Sequence, residues 1–211
     1  MLIRGRGDAL VRVTDGARLY LQDVVVRGAP LEVIGGSLDI QGSTLHVGIS
    51  IIDGGEFRIR DSYIEDPVPG LQSDGGLLVM ERVQVVQNRP SAYPTLSFDA
   101  SNVQMRGVRV VSTSGHVAMR TRGCPWLDMQ DVALQGLDVA WESHSSTAVI
   151  VDGVLLQSRR LGLQWQGPWD SQWQWRNIRI RSPQHALGVN IADADGRGPD
   201  PAVMERLPAL D

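Results

Sequence analysis

The chain has 211 residues, of which 42% are hydrophobic, and it carries 23 glycines, 24 acidic side chains and 20 basic ones. This composition is typical of a folded globular domain and excludes a disordered chain, while the net charge of -4 indicates no affinity for nucleic acid or for an anionic membrane. The single cysteine, Cys124, excludes an intramolecular disulfide, and no apolar run approaches the roughly 20 residues that span a bilayer.

One pattern, apolar-x-apolar-x-x-apolar-x-apolar, recurs eight times at steps of 19 to 25 residues, and only Ser43 and Ser62 break its apolar positions. In chain order the copies are LYLQDVVV from Leu19, LDIQGSTL from Leu38, FRIRDSYI from Phe57, LVMERVQV from Leu78, VQMRGVRV from Val103, LDMQDVAL from Leu127, VIVDGVLL from Val149 and WQWRNIRI from Trp173. Alternation with period two on both sides of a polar pair predicts two strands joined by a tight bend. The second residue of the pair is Asp, Asn or Gly in every copy except at Arg82, and these types tolerate a left-handed backbone.

A third short strand is predicted ahead of most copies, and only the one near Leu71 is indistinct. These strands are Val11-x-Val13, Leu31-x-Val33, Ile49-x-Ile51, Leu96-x-Phe98, Val117-x-Met119, Val139-x-Trp141, Leu161-x-Leu163 and Leu187-x-Val189. Three strands per turn predict an all-β solenoid of eight or nine rungs over residues 1–191, with residues 192–211 as a C-terminal capping tail. In this register Trp173 and Trp175 are core residues, and Ser43 and Ser62 form a short internal hydrogen-bonded ladder.

The bend motif, as in LYLQDVVV and WQWRNIRI, resembles that of the right-handed parallel β-helix of the pectin-lyase-like superfamily over residues 10–191. The resemblance implies the fold and says little about function, because this superfamily includes lyases, hydrolases, epimerases, phage tail spikes and non-catalytic surface proteins. It also implies that a site would lie on the outer face of the sheet formed by the third strands, which precede the copies of the pattern. The superfamily's catalytic signatures are not recognisable in this sequence.

Two outward rows are predicted on that face if the third strands are aligned on their first apolar residues. The small-residue row is Ser97, Ala118, Ala140, Gly162 and Gly188, and the polar row is Asp99, Arg120, Glu142, Gln164 and Asn190. In this alignment Asp99 and Glu142 lie about 9.6 Å apart, at the upper limit for an inverting carboxylate pair, with Arg120 between them. The alternative interpretation is a neutralising stack of alternating charges.

Two tryptophans and three aspartates complete the candidate sites. Trp126 and Trp169 follow GCP and GP in lengthened connections and are predicted either to stack on sugar rings or to anchor their loops. The segment DADGRGPD resembles an extracellular calcium loop, with Asp193, Asp195 and Asp200 as ligands, although Arg197 replaces an acidic ligand. No other metal motif and no cofactor-binding motif is present in the sequence.

The function expected from these features is a non-catalytic β-helix module, a rigid scaffold or adhesin-like domain that binds glycans along its late rungs. The alternatives are a polysaccharide lyase or glycoside hydrolase that uses Asp99, Arg120 and Glu142, and a self-assembling scaffold. The expected partners are a polysaccharide and another domain or subunit at an open N-terminal end, with neither nucleic acid nor membrane insertion. No signal peptide is visible, and the expected location is extracellular or at the cell surface, as part of a longer chain.

Overall fold

The computed structural model describes residues 2–4, 11–14, 16–166 and 174–190, and all of its regular structure is β-strand. The strands form three parallel sheets, A, B and C, that stack as a β-solenoid of about seven turns, consistent with a right-handed parallel β-helix. Along the chain each turn contributes one strand to sheet B, then one to sheet C, then one to sheet A. Within these residues there is no helix long and apolar enough to cross a membrane.

The strand bounds are as follows. Sheet A contains β1 Leu2–Arg4, β4 Val25–Arg27, β7 Thr44–His46, β10 Tyr63–Glu65, β13 Gln84–Gln87, β16 Arg109–Ser112, β19 Ala133–Gln135, β22 Leu155–Gln157 and β25 Arg179–Arg181. Sheet B contains β2 Val11–Thr14, β5 Leu31–Ile34, β8 Ile49–Ile52, β11 Leu71–Asp74, β14 Leu96–Asp99, β17 Val117–Arg122, β20 Val139–His144, β23 Leu161–Gln166 and β26 His185–Asn190. Sheet C contains β3 Arg18–Gln22, β6 Ser37–Gln41, β9 Glu56–Arg60, β12 Leu77–Glu81, β15 Asn102–Arg106, β18 Trp126–Gln130, β21 Ala148–Asp152 and β24 Gln174–Arg176.

The predicted bend between sheet C and sheet A is confirmed in every copy. Its second residue has a left-handed backbone, with φ between 50° and 66°, at Asp23, Gly42, Asp61, Arg82, Gly107, Asp131, Gly153 and Asn177. Arg82 adopts this conformation although its residue type disfavours it. The bend lets both flanking strands point their apolar side chains inward, and the template positions from Leu21 to Leu156 are all buried.

The core contains two kinds of internal polar contact. Ser62 Oγ accepts a hydrogen bond from Ser43 N at 3.0 Å, and Ser43 Oγ accepts one from Val24 N at 3.2 Å, so the predicted serine ladder links three rungs. Each hydroxyl in turn donates to a carbonyl two residues earlier, at 2.7 Å for Ser43 and 2.6 Å for Ser62. In the indistinct strand β11, Ser73 points inward and bonds the hydroxyl of Ser101 at 2.9 Å.

Tryptophans fill the core of the late rungs, as expected for Trp175. Its ring lies 5.8 Å from that of Trp141 and 6.3 Å from that of Trp165, and Trp141 Nε1 donates to Thr121 Oγ1 at 3.1 Å. Trp173 lies outside the described residues, as do residues 192–211, which were predicted to cap the solenoid.

Candidate functional site

The candidate site is the outer face of sheet B over strands β14, β17, β20 and β23. Because side chains alternate along a strand, each of these strands presents two outward residues, and neighbouring strands place them side by side. The pairs are Ser97 and Asp99, Arg120 and Arg122, Glu142 and His144, and Gln164 and Gln166. We call these eight side chains the late-rung polar face; they lie about 4.8 Å apart between rungs and about 6.6 Å apart along a strand.

The register of this face differs from the predicted alignment. Leu96 pairs with Met119 rather than with Val117, so Asp99 lies opposite Arg122 and Ser97 lies opposite Arg120. Leu163 pairs with Leu187, so Gln164 lies opposite Gly188 and Asn190 lies opposite Gln166. The predicted row Asp99, Arg120, Glu142, Gln164 and Asn190 is therefore wrong, although its three central residues do share one column.

The predicted small-residue strip is also wrong, because its central members are not on the surface. Ala118 and Ala140 are fully buried and Gly162 is buried. Strands β17, β20 and β23 begin two residues earlier than β14, and the extra first residues Val117, Val139 and Leu161 form a small apolar cluster of their own.

Shared hydrogen bonds mark the start of this extension. The amides of Asp138 and Val139 both donate to the carbonyl of His116, at 3.0 and 2.9 Å, while Val117 pairs with Val139. One rung later, Arg160 and Leu161 both donate to the carbonyl of Asp138. The added residues explain the register error, since a shift of two residues preserves the alternation that the sequence alignment relied on.

The observed register separates the two predicted catalytic carboxylates. Asp99 and Glu142 are two rungs apart and also one column apart, which places their backbone positions about 12 Å from each other. Carboxylates of glycosidases lie roughly 5 to 9.5 Å apart. Glu142 is also engaged already, because Arg120 Nε donates to Glu142 Oε2 at 2.7 Å and both side chains are largely buried.

His144 is the side chain on this face with a perturbed acid–base equilibrium. Burial lowers the pKa of its imidazole, the positive charges of Arg122 and Arg120 lower it further, and Glu142 and Gln166 oppose the effect. At neutral pH the ring is therefore uncharged and can accept a hydrogen bond through one nitrogen. Arg122 was missed as a site residue because the assumed register did not bring it beside Asp99. His144 follows Glu142 on the same strand, but its position in the sequence does not reveal its burial.

The remaining predicted ligand residues are dispersed. Gln164 lies on the late-rung polar face, and Asn190 ends β26 at the next rung. Trp126 is the first residue of β18 rather than a loop residue, and it lies half-buried in sheet C between Asn102 and Ala148. Trp169 lies outside the described residues, so its pairing with Trp126 stays a prediction.

The predicted calcium ligands Asp193, Asp195 and Asp200 also lie outside the described residues. Among the residues that the structure does describe, no group of three or more His, Cys, Asp or Glu side chains is arranged to hold a metal ion. Cys124 is buried with its Sγ 3.4 Å from the carbonyl of Phe98, and burial raises the pKa of its thiol. It therefore has the character of a core residue and not of a nucleophile.

Comparisons of the chain with protein-family models, with curated proteins and with solved structures found no match. The chemistry of the site must therefore be judged from its own geometry.

Proposed function

We propose that this chain is a non-catalytic β-helix module of the pectin-lyase-like type that binds a glycan along the late-rung polar face. The carrying observation is the arrangement of charge on that face. Its most buried carboxylate, Glu142, is neutralised by Arg120 from the neighbouring rung, and Asp99 lies two rungs and one column away from it. What remains exposed to a ligand is a row of hydrogen-bonding groups rather than an acid–base pair.

The chemistry of the row suits an extended sugar chain. Gln164 and Gln166 offer amides that both donate and accept, Ser97 offers a hydroxyl, and Arg122 offers a guanidinium fork. Sugar hydroxyls need donors and acceptors at regular intervals, and the rung spacing of about 4.8 Å supplies them along a flat, rigid surface. The parallel sheets fix these positions without an induced change of shape.

A binding assay with matched variants tests this proposal. Gln164→Ala and Arg122→Ala are expected to weaken binding to glycans identified on an array, by roughly tenfold each if their hydrogen bonds are buried by the ligand. Gln104→Ala is the matched control, because Gln104 is also a half-buried outward glutamine but lies on sheet C. Equal losses in Gln164→Ala and Gln104→Ala would contradict a site on sheet B.

The second candidate is a polysaccharide lyase or hydrolase, and the observation that favours it is the neutral imidazole of His144 between Arg122 and Glu142. A neutral histidine can act as a general base at pH 7. A reducing-sugar assay on the preparation used for the array decides between the candidates. Turnover that is lost in His144→Gln would show that the chain is an enzyme and not a binding module.

The partner at the N-terminal end and the self-assembling scaffold are also proposals. In the described part of the chain, β1, β2 and β3 are the first strands of their sheets, and an edge strand is a template for another strand. Sedimentation tests both proposals: Val11→Lys should reduce self-association, and a monomer at high concentration in the unmodified chain would contradict end-to-end assembly.

A further inference from the structure

Several arginines in the described residues of the last two rungs are not paired with acidic side chains. In earlier rungs seven arginines form ion pairs, namely Arg12, Arg58, Arg60, Arg82, Arg89, Arg106 and Arg120. The stretches 153–166 and 174–190 contain five arginines and none of the 24 acidic residues. Within the described part of the chain, none of these five arginines has an ion pair.

A cleft lies where sheet A passes into sheet B on these rungs. It is a depression of about 240 Å³ whose lining includes Gln135, Gly136, Gln157, Ser158 and Arg159. Gly136 lies between Ser112 and Ser158 in the inward column that follows β16, β19 and β22. A Cβ at Gly136 would overlap the carbonyl of Val139, so this position is restricted to glycine and no side chain separates the two serines.

Ser158 is the polar group that most directly indicates a ligand. Ser158 is only 6% exposed, yet its Oγ has no hydrogen-bond partner among the described residues, and Ser158 lines the cleft. The equivalent Ser112 donates to the carbonyl of Gly115 at 3.3 Å, so the column itself does not force a serine to remain unpaired. A buried hydroxyl without a partner is costly to keep unless a bound group completes its hydrogen bond.

Two arginines are neighbours of Ser158, one in the chain and one in the next rung. Arg159 follows it in the chain, and Arg181 lies beside it because Gln157 pairs with Arg181 and Ser158 N donates to the Arg181 carbonyl at 3.1 Å. Arg181 also lines a second depression of about 350 Å³ on the outer face of sheet A, together with Leu155 and Arg179. Both depressions are therefore lined by residues of β22, and at least one arginine lines each of them.

We propose that this cleft binds an acidic sugar, with Arg159 and Arg181 holding its carboxylate or sulfate and with Ser158, Gln135 and Gln157 holding its hydroxyls. The neutral amides and the hydroxyl match a polyol, while the guanidinium groups match one oxyanion. A long polyanion such as nucleic acid fits less well, because Arg159 is the one charged side chain among the described residues that line the cleft. The proposal does not depend on the late-rung polar face, which is formed by a different sheet.

Isothermal titration of the full chain at low ionic strength tests the cleft. The probes are a uronic acid tetrasaccharide, a sulfated tetrasaccharide of a neutral hexose, the unsulfated tetrasaccharide and sodium sulfate. One of the two acidic tetrasaccharides should bind tightest, and comparison of the two identifies the oxyanion. Arg159→Ala and Arg181→Ala should each weaken that binding about tenfold or more.

Three further variants distinguish binding in the cleft from diffuse electrostatic attraction and from binding on sheet B. Ser158→Ala should weaken binding without lowering the melting temperature, since it removes a hydroxyl that has no partner in the free protein. Arg109→Ala is the matched control: Arg109 is another exposed arginine in sheet A that has no ion pair with the described residues, three rungs or about 14 Å from Arg179. A loss in Gln164→Ala with none in Arg181→Ala would indicate binding on sheet B, and the reverse would indicate binding in the cleft, so that failure of the sheet B proposal and failure of this one are distinguishable.

Several results would overturn the assignment. A loss in Arg109→Ala equal to that in Arg181→Ala would indicate diffuse attraction by exposed arginines in general. Binding of sulfate alone or of the unsulfated sugar as tightly as the acidic tetrasaccharide would remove the specificity that the cleft is argued to have, and so would equally tight binding of a single-stranded oligonucleotide titrated as a further probe. A fall in the melting temperature of Ser158→Ala would show that the hydroxyl serves the fold.

Discussion

Arg82 and Asp61 occupy equivalent bend positions one rung apart, and the Arg82 guanidinium bridges them by donating to the Asp61 carboxylate at 2.6 and 2.9 Å. The pKa of the Asp61 carboxyl is lowered, chiefly by this hydrogen bond. An arginine at this bend is unexpected from its backbone preference, and the bidentate contact provides a reason for its presence there.

The backbone cost at Arg82 can be separated from the ion pair by comparing two substitutions. Arg82→Ala and Arg82→Gly both remove the guanidinium, but only glycine adopts φ of 52° without steric cost. The glycine variant should therefore melt roughly 2–4 °C above the alanine variant, by the scaling for a chain of this size. Equal melting temperatures by circular dichroism would show that the left-handed bend carries no strain.

The serine ladder should be a measurable source of stability. Ser62→Ala leaves the buried amide of Ser43 without its acceptor, which is expected to cost about 1–3 kcal/mol in the free energy of unfolding. Ser50→Ala on the outer face of sheet B is the control and should change stability by about 0.5 kcal/mol or less. Urea denaturation of both variants gives the comparison, and similar midpoints would argue against a structural role for the ladder.

Adjacent inward and outward residues in β21 provide a test of the register. Val151 is almost fully buried, so Val151→Asp places an unpaired charge in the core and should destabilise the fold by several kcal/mol. Asp152 points outward and accepts a hydrogen bond from Asn177 at 2.8 Å, so Asp152→Ala should have a far milder effect. Expression yield and thermal melting measure both effects. Similar values for the two variants would contradict the register.

The histidine on the late-rung polar face predicts a pH dependence of stability. The folded-state pKa of His144 lies below its ordinary value of 6.5, mainly because of burial. As the pH falls through 6.5, the unfolded chain takes up a proton at His144 before the folded chain does. The stability contributed by neutral His144 is therefore fully present above pH 6.5 and is lost as the pH falls toward the folded-state pKa. The melting temperature of the unmodified chain should therefore drop more between pH 7 and pH 5 than that of His144→Gln. Parallel curves would contradict the lowered pKa.

The sequence pattern is sufficient to predict the solenoid, because buried positions such as Leu38, Phe57 and Val103 repeat with the bend and the bend has a recognisable residue type. It even identifies the serine ladder, since Ser43 and Ser62 fall at one inward slot. The site could not be predicted to the same degree. Leu96 was aligned with Val117, two residues from its actual partner Met119, and inward–outward alternation cannot detect a shift of two. The cleft at Ser158 was missed because a hydroxyl without a partner is a property of three-dimensional packing.

The two residues that lengthen β17, β20 and β23 have an evolutionary consequence. The added residues precede Met119, which pairs with Leu96, so the rest of each strand keeps its columns and Arg120 stays beside Ser97. The extension itself is covered by the separate apolar cluster of Val117, Val139 and Leu161. A solenoid strand can thus gain residues at its start without a change in the surface chemistry of its rung, so the length of the strands and the pattern of their outward side chains can diverge independently.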